Sequence, residues 1–176
     1  MTKRIIIFSK LKKIAIPISG VIILLTLSQK IHAQQPPPAP ITVYANPAQG
    51  LMFGAFFQGV TGGTVIINPD GSRSTTGDLV QANFGIMFSP AIIEVTGNVG
   101  TVVTILNGPD VTLNGSNGGT IRLHLGSSST GSPFITTAVP PAYNQVRIGG
   151  TLTVGNPLAN PSGSYSGTFS VTFIQQ

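Results

Sequence analysis

In Thr168-Phe169-Ser170-Val171-Thr172-Phe173, hydroxyl residues alternate strictly with apolar ones. A period of two sends successive side chains to opposite faces of an extended chain, so the pattern specifies a strand with one buried and one wet face. Ile121-Arg122-Leu123-His124-Leu125 repeats it with charged or polar partners, and further apolar runs occupy residues 41–45, 51–57, 64–67, 91–96, 101–106, 110–113, 134–138 and 145–154. Almost all are bounded by Gly, Pro, Asn, Asp or Ser. Beyond residue 33, no window keeps apolar residues at helical spacing over the roughly ten positions a helix needs without a Gly or Pro breaking it. Short strands separated by turn residues predict an all-β sandwich or barrel. Pro69-Asp70-Gly71-Ser72 reads as a turn with Gly at positive φ, and Gly149-Gly150 inside an alternating run reads as a bulge or bend.

All five lysines lie within the first thirty residues. Lys3, Arg4, Lys10, Lys12 and Lys13 precede an uncharged run from Ile14 to Gln29, which is followed by Lys30-Ile31-His32-Ala33-Gln34. Basic, then apolar, then polar with a small residue is the order of a secretory signal, with cleavage expected between Ala33 and Gln34. The rival reading is a retained anchor. The uncharged run spans only residues 14–29 and contains Pro17 and Gly20, short of the about 20 apolar residues of a spanning helix. Residues 1–33 are therefore expected to be a cleaved signal, 34–40 a proline-rich leader, and 41–176 a single β-sandwich domain with no membrane span. The whole-chain charge of +5 belongs to the signal. Beyond it, three arginines (Arg73, Arg122, Arg147) face four acids (Asp70, Asp78, Glu94, Asp110), a formal charge of −1. Nucleic acid is excluded as a partner, because its phosphates require several cationic contacts.

Catalytic and cofactor constellations are sparse. His124 is the only histidine after residue 33 and shares the wet face of its strand with Arg122. A general base also needs a nucleophile and an orienting acid, so the ordinary reading is a solvent-facing histidine. One histidine and no cysteine exclude a zinc site of usual composition, and exclude disulfides. Asn68-Pro69-Asp70-Gly71-Ser72 with Asp78 offers oxygens but lacks the spacing and terminal Glu of a calcium loop, and reads as a turn. The four acids are too dispersed to nominate a glycosidase pair. Asn114-Gly115-Ser116 is formally a glycosylation sequon. No cofactor, no metal and no enzymatic activity are expected.

Leu51-Met52-Phe53-Gly54, Gly62-Gly63-Thr64-Val65 and Asn68-Pro69-Asp70-Gly71-Ser72-Arg73-Ser74 stand in that order. Together they resemble the opening of a bacterial exported family known as domain of unknown function 4402. Ile148 to Val154 and Gly163 to Phe173 resemble its closing signature. The resemblance implies a secreted antiparallel β-sandwich, Ig-like or pilin-like, of adhesin-like character, with no established activity or site residues. Subunits of chaperone–usher fibres often carry a glycine fourteen from the end and an aromatic next to last. Gly163 is fourteenth from the end, while the aromatic is Phe173, fourth from the end, with Gln175 in the penultimate place.

The resulting expectation is an exported, non-enzymatic surface protein, fimbrial-subunit-like or adhesive, located in the periplasm, on the cell surface or outside the cell. Its partners would be copies of itself or other surface subunits. Ile41 and Val43, in a first strand that pairs at home or on a neighbour, and Gly163, Phe169, Val171 and Phe173 are the assembly candidates. The alternative is a secreted glycan-binding module using Tyr44, Tyr143 and Tyr165 as stacking platforms.

Overall fold

The computed structural model describes residues 37–176. The expected signal, its cleavage point at Ala33 and Gln34, and the first three residues of the leader, 34–36, lie outside the described residues. Thirteen strands run in chain order: β1 (Thr42–Ala45), β2 (Met52–Phe53), β3 (Ala55–Ile67), β4 (Arg73–Ala82), β5 (Phe88–Ser89), β6 (Ala91–Thr96), β7 (Val102–Asn107), β8 (Val111–Gly115), β9 (Thr120–Ser128), β10 (Phe134–Ile135), β11 (Asn144–Val154), β12 (Tyr165–Ser166) and β13 (Val171–Gln175). A 3-10 turn at Pro47–Gln49 is the only helical element among the described residues. All ladders between named strands are antiparallel, giving an all-β, sandwich-like fold.

The large sheet has the order β1-β6-β11-β9-β8-β12, with β3 also on β11 and β4 on β3. A three-stranded sheet, β10-β7-β13, and the short pair β2-β5 complete the fold. β11 is the hub. Its first half pairs with β6, its second half with β3, and its other edge with β9. Val146, Ile148, Leu152 and Val154 all point inward from it. Burying each such aliphatic side chain contributes roughly 1.5–3 kcal/mol. The interior divides into two clusters. Val65, Leu113, Ile121, Leu123, Leu125 and Leu152 anchor one; Val95, Val103, Ile105, Phe134, Val146 and Ile148 anchor the other. Leu51, Phe169 and Val171 pack against both.

Several sequence expectations change in detail. The run 51–57 is two strands, because Gly54 adopts φ +68 between them. The run 134–138 keeps strand form only at Phe134–Ile135, and Thr136 instead accepts from Thr101 N (3.0 Å) and donates to Asn98 O (2.5 Å). The alternating run 168–173 is not one strand: pairing stops after Ser166 and resumes at Val171. The period of two in burial nevertheless runs through the gap: Phe169, Val171 and Phe173 are half-buried against the core while Thr168, Ser170 and Thr172 are exposed. Gly163 lies in a bend beside Ser116 and Asn117, not on the last strand. β4 has no counterpart among the predicted runs. The Gly149-Gly150 irregularity is present as a register shift between Ile148 and Gly150, and the Asp70 turn is closed by Gly71 N to Asn68 O (2.9 Å) with Gly71 at φ +90.

Candidate functional site

Alternation places Thr112 on β8, Thr120, Arg122 and His124 on β9 and Thr153 on β11 on the exposed face of the large sheet, while Leu113, Ile121, Leu123 and Leu152 fill the core behind them. Register then aligns these side chains. Thr76 is opposite Thr64, Thr64 opposite Thr153, Thr153 opposite Arg122, and Arg122 opposite Thr112. One row of four threonines and an arginine thus crosses five strands, which neighbour one another at about 4.8 Å. Thr64 Oγ1 and Thr76 Oγ1 are hydrogen-bonded at 2.6 Å.

Asp110 precedes β8 and lies beside His124 of β9. Arg122 Nε donates to Asp110 Oδ2 at 2.6 Å, and His124 Nδ1 meets Asp110 Oδ1 at 2.6 Å. An ionised carboxylate only accepts, so the ring nitrogen facing it is the donor. The His124 hydrogen bond is the chief cause that holds the Asp110 carboxyl below its ordinary 3.8; partial burial opposes it, and Arg122 adds a hydrogen bond and its charge. A shallow cleft of about 540 Å³ covers this face, with Asp110, Thr112, Thr120, Arg122 and Thr153 along it. Its far wall is Asn160, only 5% exposed, whose side chain accepts from Gly155 N and donates to Thr120 O.

Arg73 and Arg147 have different surroundings. Arg73 donates to the carbonyls of Phe53 (3.1 Å), Ala55 (3.2 Å) and Ala82 (3.4 Å), and its guanidinium lies 4.4 Å from the centre of the Phe88 ring. Such a guanidinium ties the β2–β3 kink to β4 and β5. Arg147 donates from Nε to Gln145 Oε1 at 3.0 Å and borders a second open cleft of about 580 Å³ with Asn68, Pro69, Asp70 and Ser129. Asp70 there is held below its ordinary 3.8 by Ser72, first through the serine side chain and then through its backbone N–H, which donates to Asp70 at 2.8 Å.

The assembly candidates other than Gly163 gather at two edges, β1 of the large sheet and β13 of the three-stranded sheet. β1 pairs with β6 of its own chain, from Thr42 opposite Thr96 to Ala45 opposite Ile93, yet none of its four side chains is buried. Ile41 is half-buried against the second cluster, and Val43 is exposed. β13 pairs with β7 on one edge and with no strand on the other among the described residues. There the Gln175 amide substitutes for a ladder, accepting from Ile41 N (2.9 Å) and donating to Ala39 O (3.1 Å). Phe169, Val171 and Phe173 are half-buried core packing beside that edge, whereas Gly163 lies off β13, in the bend beside Ser116 and Asn117.

The tyrosines separate. Tyr44, 56% exposed, lies opposite Glu94, which lies opposite Gln145, so an aromatic, a carboxylate and an amide share one row. Tyr143 is exposed in the loop before β11. Tyr165 does not offer a free platform: it is half-buried and its hydroxyl donates to Pro161 O at 2.7 Å. Alternation alone puts His124 and Arg122 on one wet face and leaves Asp110 a dispersed acid. The missing signal was register, since alternation assigns Asp110 and Thr112 to a wet face without saying which residues of β9 they oppose.

Among the described residues, no group of three or more His, Cys, Asp or Glu side chains is arranged to hold a metal, and no helix is long and apolar enough to cross a membrane. A family model described as Domain of unknown function (DUF4402) matches residues 41–174. No curated protein and no solved structure matches the chain.

Proposed function

The chain belongs to the family described as domain of unknown function 4402, and from that premise we propose that it is an exported, non-enzymatic surface protein that works by contact, as an adhesive component or fibre subunit joined through strand edges. The observation that supports this reading is the state of the two terminal strands. β1 is held by four backbone pairings without a buried side chain, and the β13 edge next to it is closed only by the Gln175 amide. Strand edges of this kind are templates for pairing with another chain. Exposed apolar groups at a separate corner, Phe57, Val80, Phe84, Ile86 and Met87, add a second contact surface.

The chain has no cysteine, which makes a clean lock available. Thr42 and Thr96 are register partners, and directly opposed residues of antiparallel strands, about 4.5–5.5 Å apart at Cα, fall in the range a disulfide spans. With Thr42→Cys and Thr96→Cys together, oxidation is expected to keep the protein monomeric, and reductant to restore concentration-dependent multimers. A protein that is monomeric at every concentration with or without the lock, and absent from surface fractions, abolishes the proposal. The Tyr44–Glu94–Gln145 row favours a glycan-binding reading as an alternative, which a glycan array with Tyr44→Ala as control examines directly.

A further inference from the structure

We propose that the Arg122 face binds a carboxylated polysaccharide, Arg122 taking a carboxylate and the threonine row taking sugar hydroxyls; this rests on the reading of the chain as a surface contact protein. Arg122 Nε is committed to Asp110, no hydrogen bond joins either terminal nitrogen to another described residue, and the side chain is 70% exposed. A guanidinium pinned at one nitrogen has already surrendered part of the rotamer freedom that binding removes. Its outer N–H groups are set in a planar fork that matches a carboxylate with two parallel hydrogen bonds.

The neighbours extend the fit. Thr112 and Thr153 flank Arg122 in register, and Thr64 and Thr76 continue the row. Each hydroxyl both donates and accepts, as sugar hydroxyls do, and a chain laid across the strands meets one side chain per strand. The cleft above, about 540 Å³, is of ligand size and has no aromatic ring in its lining. Recognition here uses hydrogen bonds and a single charge rather than ring stacking. That charge is shared with Asp110, so the site suits a polymer that offers one singly charged carboxylate per sugar rather than clustered sulfates or phosphates. Densely sulfated polymers and nucleic acids need several cations together, and Arg73 is occupied by carbonyls while Arg147 borders the other cleft.

The test titrates the full chain with polygalacturonate and alginate, with methyl-esterified polygalacturonate, and with dextran sulfate. Binding to at least one uronate polymer is expected. It should weaken about tenfold or more on esterification and in Arg122→Gln, the effect of losing one charge-assisted pair, while Arg147→Gln changes it less than about twofold, as for an uninvolved exposed charge. An unchanged urea midpoint shows that Arg122→Gln is folded. The inference is overturned if neither uronate polymer binds, if ester and acid bind alike, or if dextran sulfate binds tighter and both arginine variants weaken it equally. A protein that binds none of these polymers yet forms multimers at the surface overturns this inference and leaves the contact reading standing. A monomer absent from surface fractions removes that reading, whatever it binds.

Discussion

Arg73 and Arg122 stand on strands of the same sheet, yet one is surrounded by main-chain carbonyls and the other by a single carboxylate. Arg73 donates to residues 53, 55 and 82 and packs on Phe88. Arg122 donates once, to Asp110, and holds its remaining nitrogens toward solvent. The difference teaches where this molecule uses charge for architecture and where it leaves charge available. Carbonyls that have lost their partner inside a fold remain desolvated, whereas a surface ion pair that is broken is replaced by water.

The largest expected effect follows from that asymmetry. Arg73→Ala strands several carbonyls and removes the contact with Phe88, which should cost about 3 kcal/mol. Arg122→Ala should cost less than about 0.5 kcal/mol. Urea denaturation of both variants measures this directly, and equal losses would dissolve the distinction. Arg73→Lys is expected to rescue little, because one ammonium cannot span three carbonyls held by a planar fork.

Gly54 sharpens the architectural side. It sits at φ +68, and a Cβ there would collide with Arg73 Nη1. Gly54→Ala should therefore cost about 1–3 kcal/mol, combining backbone strain with displacement of the guanidinium. The severest part of the clash requires Arg73 to be present, with Ile86 O and Phe88 Cβ standing at 3.3 Å besides. In a double-mutant cycle with Arg73→Ala, the Gly54→Ala cost should therefore fall, leaving the backbone part and these milder contacts. Additive costs would mean that the glycine serves the turn and not the arginine.

Much of this architecture was legible in the sequence, and the exceptions have a common cause. The β6 run 91–96 and the β11 run around 145–154 are plain because apolar residues recur at period two and turn residues bound them. β4 carries Ser, Thr, Gly and Asp with only Leu79, Val80 and Ala82 apolar, and its pairing with β3 supplies what its composition does not announce. The role of Arg73 was hidden for a similar reason: its partners are carbonyls, which every residue has. The threonine row and the Asp110 cluster depend on register across five strands. A one-residue slip would scatter them while leaving each strand's alternation intact.

The smallest effect concerns how Arg122 is kept in place. The Asp110 carboxyl is held below its ordinary 3.8, chiefly by His124 and secondarily by Arg122. A depressed carboxyl contributes stability that is present above 3.8 and lost as pH falls through its folded value. The difference in urea midpoint between the native protein and Asp110→Asn should accordingly be present above 3.8 and close as pH falls below it. Carboxyl titration by NMR separates the two supports: Asp110 should return further toward 3.8 in His124→Ala than in Arg122→Ala. A larger return in Arg122→Ala would make the arginine the brace and the histidine an onlooker. His124 would then no longer be the residue that orients the carboxylate against which Arg122 is pinned, and the available charge of this face would rest on two residues instead of three.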